Sequence, residues 1–432
     1  MIDQLKQKIA DRTAVVSIIG QGYVGLPLAM SFARAGFKVI GFEVDPEKVS
    51  SLQSGVSFIP DVSNEMLRAA REAGYEATLD ADRLAEADAI LITVPTPYTK
   101  TKQPDMTYVQ QAARTVSRRL RAGQLIILES TTYPGTTETL LLPELKTSGL
   151  VFGEDFEVAY SPERIEPGNK NFNLTNTPKV VGGLSKRATD LASELYSTIV
   201  CRVVPVSSAA AAEMTKLLEN TYRHVNIALA NEMAQLCHVI GINIWEVVNA
   251  ASSKPFGFSP FFPGPGVGGH CIPIDPYYLV WKAQEHETVA RMVELAGQIN
   301  DEMPDWVVTR AADLLNDRGR SIRGSRILLI GISYKKDIPD LREAPSLKVL
   351  EKLHRKGAHI QYHDPFIPSL PWHYGALEST DLTLKALQQA DCVIILTDHS
   401  CLDKELLAKG SPVLLDTRNL MKDYDQGNIV RL

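Results

Sequence analysis

Cysteine is scarce and scattered in this chain. The five, Cys201, Cys237, Cys271, Cys392 and Cys401, are odd in number and form no CxxC pair, which excludes a disulfide framework and leaves no ligand spacing for a structural zinc. A basic excess is also missing: 45 Lys and Arg stand against 51 Asp and Glu, a formal charge of −6. Such a balance gives no field for nucleic acid or an anionic membrane, so an anionic ligand needs a local pocket. No apolar run reaches membrane-spanning length, and the opening stretch MIDQLKQKIADRTAVV lacks a basic-then-apolar signal pattern. The expectation is a soluble cytoplasmic protein with no metal, no nucleic-acid partner and no membrane partner. Internal repeats and low-complexity segments are absent as well. What is present is ordinary globular material, 432 residues with 44% hydrophobic and 22% charged content, enough for two or three domains with sizeable cores.

Residues 14–44 hold the first recognisable unit: the apolar run AVVSIIG, the loop GQGYVG, a helical stretch to Gly36, then KVIGFEVD. Gly20, Gly22 and Gly25 fit GxGxxG between a strand and a helix, and Glu43 ends the second strand roughly 20 residues on. Glycines there permit a tight turn and let backbone N–H groups of the loop, Tyr23 and Val24 included, approach a pyrophosphate. Glu43 can accept hydrogen bonds from both ribose hydroxyls and would repel a 2′-phosphate, which favours NAD over NADP. Further apolar runs, DAILITVPTP, QLIILESTT, FEVAYSPER, TPKVVGG and CRVVPVS, alternate with helical patterns. Residues 1–205 therefore read as one doubly wound domain, with Thr96, Thr131 and Glu163 beyond the carboxyl ends of strands, where such sheets bind ligands.

From about Ser208 the pattern becomes one long helix, AAAAEMTKLLENTYRHVNIALANEMAQLCHVIG, closed by Gly241. Helices follow at NIWEVVNAAS and from Tyr277, so residues 206–318 form a central helical domain. The long helix links the two halves and carries a subunit contact through Ile227, Leu229, Met233 and Leu236. Residues 319–432 restart the α/β alternation with SRILLIGISYK, HIQYHDP, DCVIILTD and PVLLDTRN, and with helical stretches from Ser346 and Leu382. The fold class is α/β, two Rossmann-like doubly wound sheets joined by a helical domain. LLIGISYKKD lacks GxGxxG, which argues against a second dinucleotide site. Lys335, Lys336 and Arg342 put cations beside a strand end, as a phosphate-bearing ligand or a merely solvated loop would have them.

Cys271 ends the glycine- and proline-rich loop PGPGVGGHC just before a helix amino terminus, where the local field favours thiolate. A reactive thiol and an inert one both fit that position. His270 beside it chelates poorly as an adjacent side chain. Asp275 reads as an N-cap followed by Pro276 at the first helical position, a role compatible with a second one. Glu213, Lys216 and Asn220 share one helix face, either as a solvated stripe or, near Met214, Leu217 and Leu218, as the wall of a cleft.

The motifs GQGYVGLPLA, VPTP, LESTTYPGTT, YSPERIEPG, EMTKLLENTYRHVNIALANE, GPGVGGHCIPIDPYYL and YKKDIPDLREAPS together resemble the UDP-glucose/GDP-mannose dehydrogenase family over most of the chain. The resemblance implies an NAD domain, a helical domain with a dimer helix, and a UDP-sugar domain. It implies that Cys271 is the nucleophile, with Lys216, Asn220 and Asp275 as polar partners, Glu163 as acid/base carboxylate and Thr131 near the reacting water. It also implies that Tyr334, Lys335 and Arg418 hold the uridine nucleotide, while Arg164 and Gly268 line the substrate. The implied reaction is a four-electron oxidation of sugar carbon 6 with two equivalents of NAD, in which the thiol holds the intermediate aldehyde and becomes a thioester that water hydrolyses. The resemblance further implies a product destined for polysaccharide biosynthesis.

UDP-glucose members of the family read SPEF followed by EG and carry a lysine before the aspartate of the cysteine motif. This chain has Arg164, Pro167 and Ile274 at those places, which resembles the branch acting on UDP-N-acetylhexosamines. UDP-N-acetylglucosamine is the first expectation, with UDP-glucose and the N-acetylgalactosamine and N-acetylmannosamine epimers as alternatives. A two-electron hydroxy-acid dehydrogenase would not need Cys271 or the last sheet, and a non-catalytic nucleotide-sugar binder would not need the polar set around it.

Overall fold

The computed structural model describes residues 2–99, 102–164, 171–269, 272–373 and 375–432. His270 and Cys271 lie outside the described residues, as do Ile165 to Lys170 with Pro167. The chain forms two compact units, Met1–Glu219 with Trp281–Glu287, and Asn220–Val280 with Thr288–Leu432.

In the first unit, β1 (Val15–Ile19), β2 (Lys38–Phe42), β3 (Tyr75–Thr78), β4 (Ala89–Ile92), β5 (Gln124–Leu128), β6 (Phe156–Tyr160), β7 (Lys179–Gly183) and β8 (Val203–Pro205) make one sheet. Its order is β3-β2-β1-β4-β5-β6-β7-β8. The strands that read as unbroken apolar runs, β4 and β5, are buried at every residue, as parallel strands covered on both faces must be. The helix Gly25–Arg34 buries Leu26, Leu28 and Phe32 in the same core as Val16 and Ile18; each such side chain contributes roughly 1.5–3 kcal/mol. Order reverses between β1 and β4, which is the switch point where ligands bind in these sheets.

One pairing in this sheet is not parallel: β7 runs antiparallel to β6. Its first residue, Lys179, therefore lies at the end of the sheet where β5 and β6 finish. The short β3, not anticipated from the sequence, is YEAT, with too few apolar residues to stand out.

The 32-residue helix Ala209–Ile240 matches the expected span, and Gly241 beyond it has φ +75°, the left-handed conformation that ends helices. The helix Ile244–Ser252 is capped by Asn243, whose side chain accepts from Trp245 N–H. The helix Asp275–Glu285 begins two residues before the expected Tyr277 and has Pro276 in its first turn, where the missing N–H costs nothing. A further helix, Arg291–Asn316, was masked in the sequence by Pro304 within it.

The second unit's sheet comprises β9 (Arg326–Ile330), β10 (His359–His363), β13 (Cys392–Ile395), β14 (Leu414–Asp416) and β15 (Ile429–Arg431), all parallel in the order β10-β9-β13-β14-β15. A hairpin of β11 (Ser369–Trp372) and β12 (Gly375–Glu378) stands apart. The hairpin and the three-residue β15 were too short to read from periodicity. Among the described residues no helix is long and apolar enough to cross a membrane.

Candidate active site

At the end of β1 the chain turns sharply. Gly20 has φ +90°, and a Cβ on Gly25 would stand 1.9 Å from the Gly20 carbonyl oxygen, so helix and strand meet closer than any side chain permits. Beside Gly22 there is open space, and the helix has no side-chain cap at Val24. The carboxylate of Glu43, at the end of β2, is buried and accepts from the N–H groups of Gln21 at 2.9 Å, Val44 at 2.8 Å and Asp45 at 3.2 Å. Tyr75 from β3 donates to Gln21 Oε1 and fixes that residue in turn. Thr93, overlooked in the sequence, hydrogen-bonds through Oγ1 to the carbonyls of Ile19 and Gly20 and ties β4 to the turn. These residues fit a dinucleotide: a glycine cradle, open space at the helix start, and a fixed acid one strand away. Tyr23 is exposed, and Thr96 and Thr131 are half-buried beyond β4 and β5.

Beyond β5, β6 and the start of β7 the same unit gathers buried charge. Lys179 Nζ is 2.5 Å from Glu129 Oε2 and 3.6 Å from Glu163 Oε2, and Tyr196 OH donates to Glu129 Oε1. Burial pushes the Glu129 carboxyl up, opposed by Lys179. Lys179 is pulled down by its own burial, but Glu129 and Glu163 outweigh that and raise it. Glu129 and Lys179 were missed in the sequence; the available signal was a charge closing the run LIIL and another opening VVGG.

The helix Ala209–Ile240 buries charged residues beside the apolar Ala212 and Leu217. Glu213 and Lys216 are buried, while Met214 and Leu218 are exposed. The expected alternative of a solvated polar stripe is thereby set aside for these two. Lys216 Nζ donates to the Glu163 carbonyl at 2.6 Å. Glu213 accepts from Gly135 N–H and from Thr137 N–H and Oγ1, fixing the segment that follows Thr131. Arg164 turns its guanidinium to Glu219 and to the Pro178 carbonyl, so a substrate contact there would have to displace a formed ion pair.

In the second unit Asn220 Nδ2 donates to the buried Asp275 carboxylate. The loop leading to Cys271 is anchored at Gly264, whose N–H donates to Asn231 Oδ1 at 2.9 Å; Asn231 donates in turn to Asn300. Its glycines serve close approaches within the unit. A Cβ on Gly264 would meet Arg418 at 2.7 Å, and Cβ atoms on Gly268 and Gly269 would meet Tyr334 at 2.7 and 2.9 Å. The structure thus brings the glycine loop together with two residues expected at the nucleotide.

Tyr334 and Lys335 sit on the loop after β9, and Asp364 organises that loop. Its Oδ2 accepts from Ile332 N–H at 2.7 Å, Ser333 N–H at 3.1 Å and His399 Nε2 at 3.1 Å, which makes Nδ1 of His399 the acceptor for Asp337 N–H at 2.9 Å. Burial pushes Asp364 up, but His399 and the N–H groups of Ile332 and Phe366 outweigh it and hold the carboxyl below the usual range. Arg418 Nε donates to the Leu396 carbonyl, and no carboxylate among the described residues forms an ion pair with it. Burial pulls its guanidinium below the ordinary value, against the attraction of Asp398 and Asp416. Of the other cations, Arg342 is engaged by Asp340 at 3.0 Å and Lys336 stands 3.9 Å from Asp398.

Three family models match in chain order: the UDP-glucose/GDP-mannose dehydrogenase family NAD binding domain over residues 14–200, its central domain over 210–302 and its UDP binding domain over 328–423. The chain belongs to the UDP-glucose/GDP-mannose dehydrogenase family. It is an NAD-dependent oxidoreductase of the UDP-sugar dehydrogenase type. Among its relatives is a UDP-N-acetyl-D-mannosamine dehydrogenase of Pyrococcus horikoshii, 33% identical over 96% of this chain and 98% of the relative. A UDP-N-acetyl-D-glucosamine 6-dehydrogenase of Salmonella typhi is 35% identical over 89% of each. An NDP-N-acetyl-D-galactosaminuronic acid dehydrogenase of Ralstonia nicotianae is 36% identical over 94% of this chain and 96% of the relative. The solved UDP-D-ManNAc dehydrogenase structure from Pyrococcus horikoshii superimposes with a TM-score of 0.88 at 32% identity, over 96% of this chain and 98% of that one.

Three measurements follow from this geometry. NAD should support turnover at least about a hundredfold better than NADP in kcat/KM, and Glu43→Ala should lose most of that preference, since the carboxylate that repels a 2′-phosphate is gone; equal use of both cofactors by the wild type would refute the role of Glu43. Asp364→Asn should weaken UDP binding, read by calorimetry, by about tenfold while NAD binding holds, because its amide N–H groups would face backbone donors. The depressed Asp364 contributes stability that is present above the carboxyl's unfolded value and lost as pH falls through its folded one. The urea midpoint of wild type should therefore fall on acidification more steeply than that of Asp364→Asn, and parallel acid profiles would contradict the assignment.

Proposed function

We propose that this dehydrogenase oxidises carbon 6 of a UDP-N-acetylhexosamine, UDP-N-acetylglucosamine first, to the uronic acid through a covalent bond to Cys271. The observation that carries the reading is the buried Lys216, whose ammonium donates to the Glu163 backbone carbonyl from a helix turn that also buries Glu213, so this polar face is enclosed rather than solvated. All three relatives above are named for N-acetylated sugars, and the SPER motif with Arg164 supports that subclass. UDP-N-acetylmannosamine is the second reading, favoured by the near-complete coverage of the Pyrococcus horikoshii relative.

NAD, when bound against Gly20, Gly22, Gly25 and Glu43, supplies the electron acceptor for each of two oxidations. Glu163 takes the proton that leaves the substrate hydroxyl. The Cys271 thiolate adds to the resulting aldehyde, and Lys216 and Asn220 stabilise the oxyanion of that adduct. After the second oxidation the sulfur carries a thioester. Asp275 and Thr131 then hold water for attack, Glu163 accepts its proton, and the carbon–sulfur bond breaks to free the thiol and the carboxylate. Tyr334, Lys335 and Arg418 hold the uridine diphosphate, for which the guanidinium of Arg418, with no carboxylate ion-paired to it among the described residues, is suited.

The same reading makes the chain a homodimer or a higher homo-oligomer in the cytoplasm, organised as the NAD domain at 1–205, the dimerisation domain at 206–318 and the UDP-sugar domain at 319–432. Tyr222, Leu229 and Leu236, seven residues apart, are exposed along one stripe of the long helix, with Leu218 and Val239 beside them. Light scattering at working concentration should give twice the chain mass or a multiple of it, and a monomer would refute the assembly. For the chemistry, wild type should release two NADH per UDP-N-acetylglucosamine, and Cys271→Ser should keep UDP binding while turnover falls at least about 10³-fold. One NADH per sugar, or steady uronic acid production by Cys271→Ser, would overturn the covalent route.

A further inference from the structure

Glu129, Lys179, Glu163 and Tyr196 form a buried polar cluster at the carboxyl end of the first sheet. Glu129 is 1% exposed, Lys179 2%, Glu163 8% and Tyr196 0%. Taking such ions out of water costs several kcal/mol each unless the partners compensate. Here one ammonium faces two carboxylates, 2.5 Å from Glu129 and 3.6 Å from Glu163. A structural salt bridge needs only one of them. The second carboxylate is the one at which a proton must be taken up and released during the reaction.

We infer that Lys179 is a positioning residue for Glu163, its ammonium shared between Glu129 and Glu163 so that Glu129 governs how much of that cation faces the base. The inference rests on the proposed acid/base role of Glu163. Each oxidation and the hydrolysis release protons, so the base must return to its ionised form more than once per turnover. The one ammonium that faces this base, 3.6 Å from Glu163 Oε2, is held at 2.5 Å by the second carboxylate, Glu129. Arg164 also faces Glu163, its N–H donating to Glu163 Oε1 while its guanidinium pairs with Glu219, as does Lys216, which donates to the Glu163 carbonyl. Tyr196 closes the far side, with its OH on Glu129 and its ring 5.1 Å from the Lys179 ammonium.

The two ends of this arrangement carry opposite signs. Lys179→Met removes the cation and should move the acid limb of the kcat/KM profile up by about one pH unit. Glu129→Gln removes the competing carboxylate, leaves Lys179 to Glu163 alone, and should move the same limb down by about as much. Lys179→Arg should restore most of the wild-type profile. Substrate KM at the plateau should be unchanged in all three. Glu163→Gln identifies the limb, which should vanish with most of the turnover; a fully active Glu163→Gln would refute the acid/base reading itself. If Glu163→Gln is impaired but the Lys179→Met and Glu129→Gln limbs stay in place or shift in the same direction, the positioning role is overturned. Should Lys179→Met fail to fold, the nearly isosteric Glu129→Gln decides alone, and an unmoved limb in that variant overturns the inference.

Discussion

The first unit depends on placing a lysine between two carboxylates with almost no water present. An ammonium at the start of a strand reaches groups at the ends of its neighbours only if that strand runs against them. The antiparallel pairing of β6 with β7 in an otherwise parallel neighbourhood has this consequence, since it carries Lys179 to the residues that follow β5 and β6. Tyr196, at the end of the helix Lys186–Tyr196, then seals the cluster. Without the lysine two buried carboxylates would repel and take up protons, and without the carboxylates a buried lysine would lose its own.

In the second unit a different constraint operates. The loop bearing Tyr334 and Lys335 has no regular structure of its own, and backbone donors at the end of β9 must be satisfied. Asp364 does this from the end of β10, accepting from both Ile332 and Ser333, while His399 bridges Asp364 to Asp337. The glycines at 264, 268 and 269 let the neighbouring loop press against Arg418 and Tyr334 without side chains intervening. In the proposed reaction these contacts hold the nucleotide's binding groups beside the segment that ends in Cys271.

Much of this was legible in the sequence because periodicity and spacing report local structure directly. GxGxxG followed by Glu43 named a turn and an acid one strand apart, and the chain folds there as those residues require. The unbroken apolar runs became fully buried strands, and the 32-residue helix was visible by length alone. What escaped was set by tertiary pairing. Nothing in TPKVVGG announces that its lysine meets Glu129, 50 residues earlier, because that contact depends on strand direction rather than on neighbours in the chain. Asn231 and Asn300 likewise look like solvated helix positions until they meet each other in the interior. Pro304 hid a helix that packing sustains despite the lost hydrogen bond. Among the described residues the glycine loop makes its closest approaches to Tyr334 and Arg418, pairings that its composition does not announce.

The central claim is that the sugar becomes covalently bound to Cys271 between its two oxidations. Rapid-quench mass spectrometry of a single turnover, with NAD in excess and one equivalent of UDP-N-acetylglucosamine, reads this directly. The account predicts a transient enzyme adduct of the oxidised nucleotide sugar, confined to the peptide that contains Cys271 and absent from Cys271→Ser by the same sulfur linkage. Accumulation of a free aldehyde in solution, with no adduct on that peptide at any time before the uronic acid forms, would contradict it.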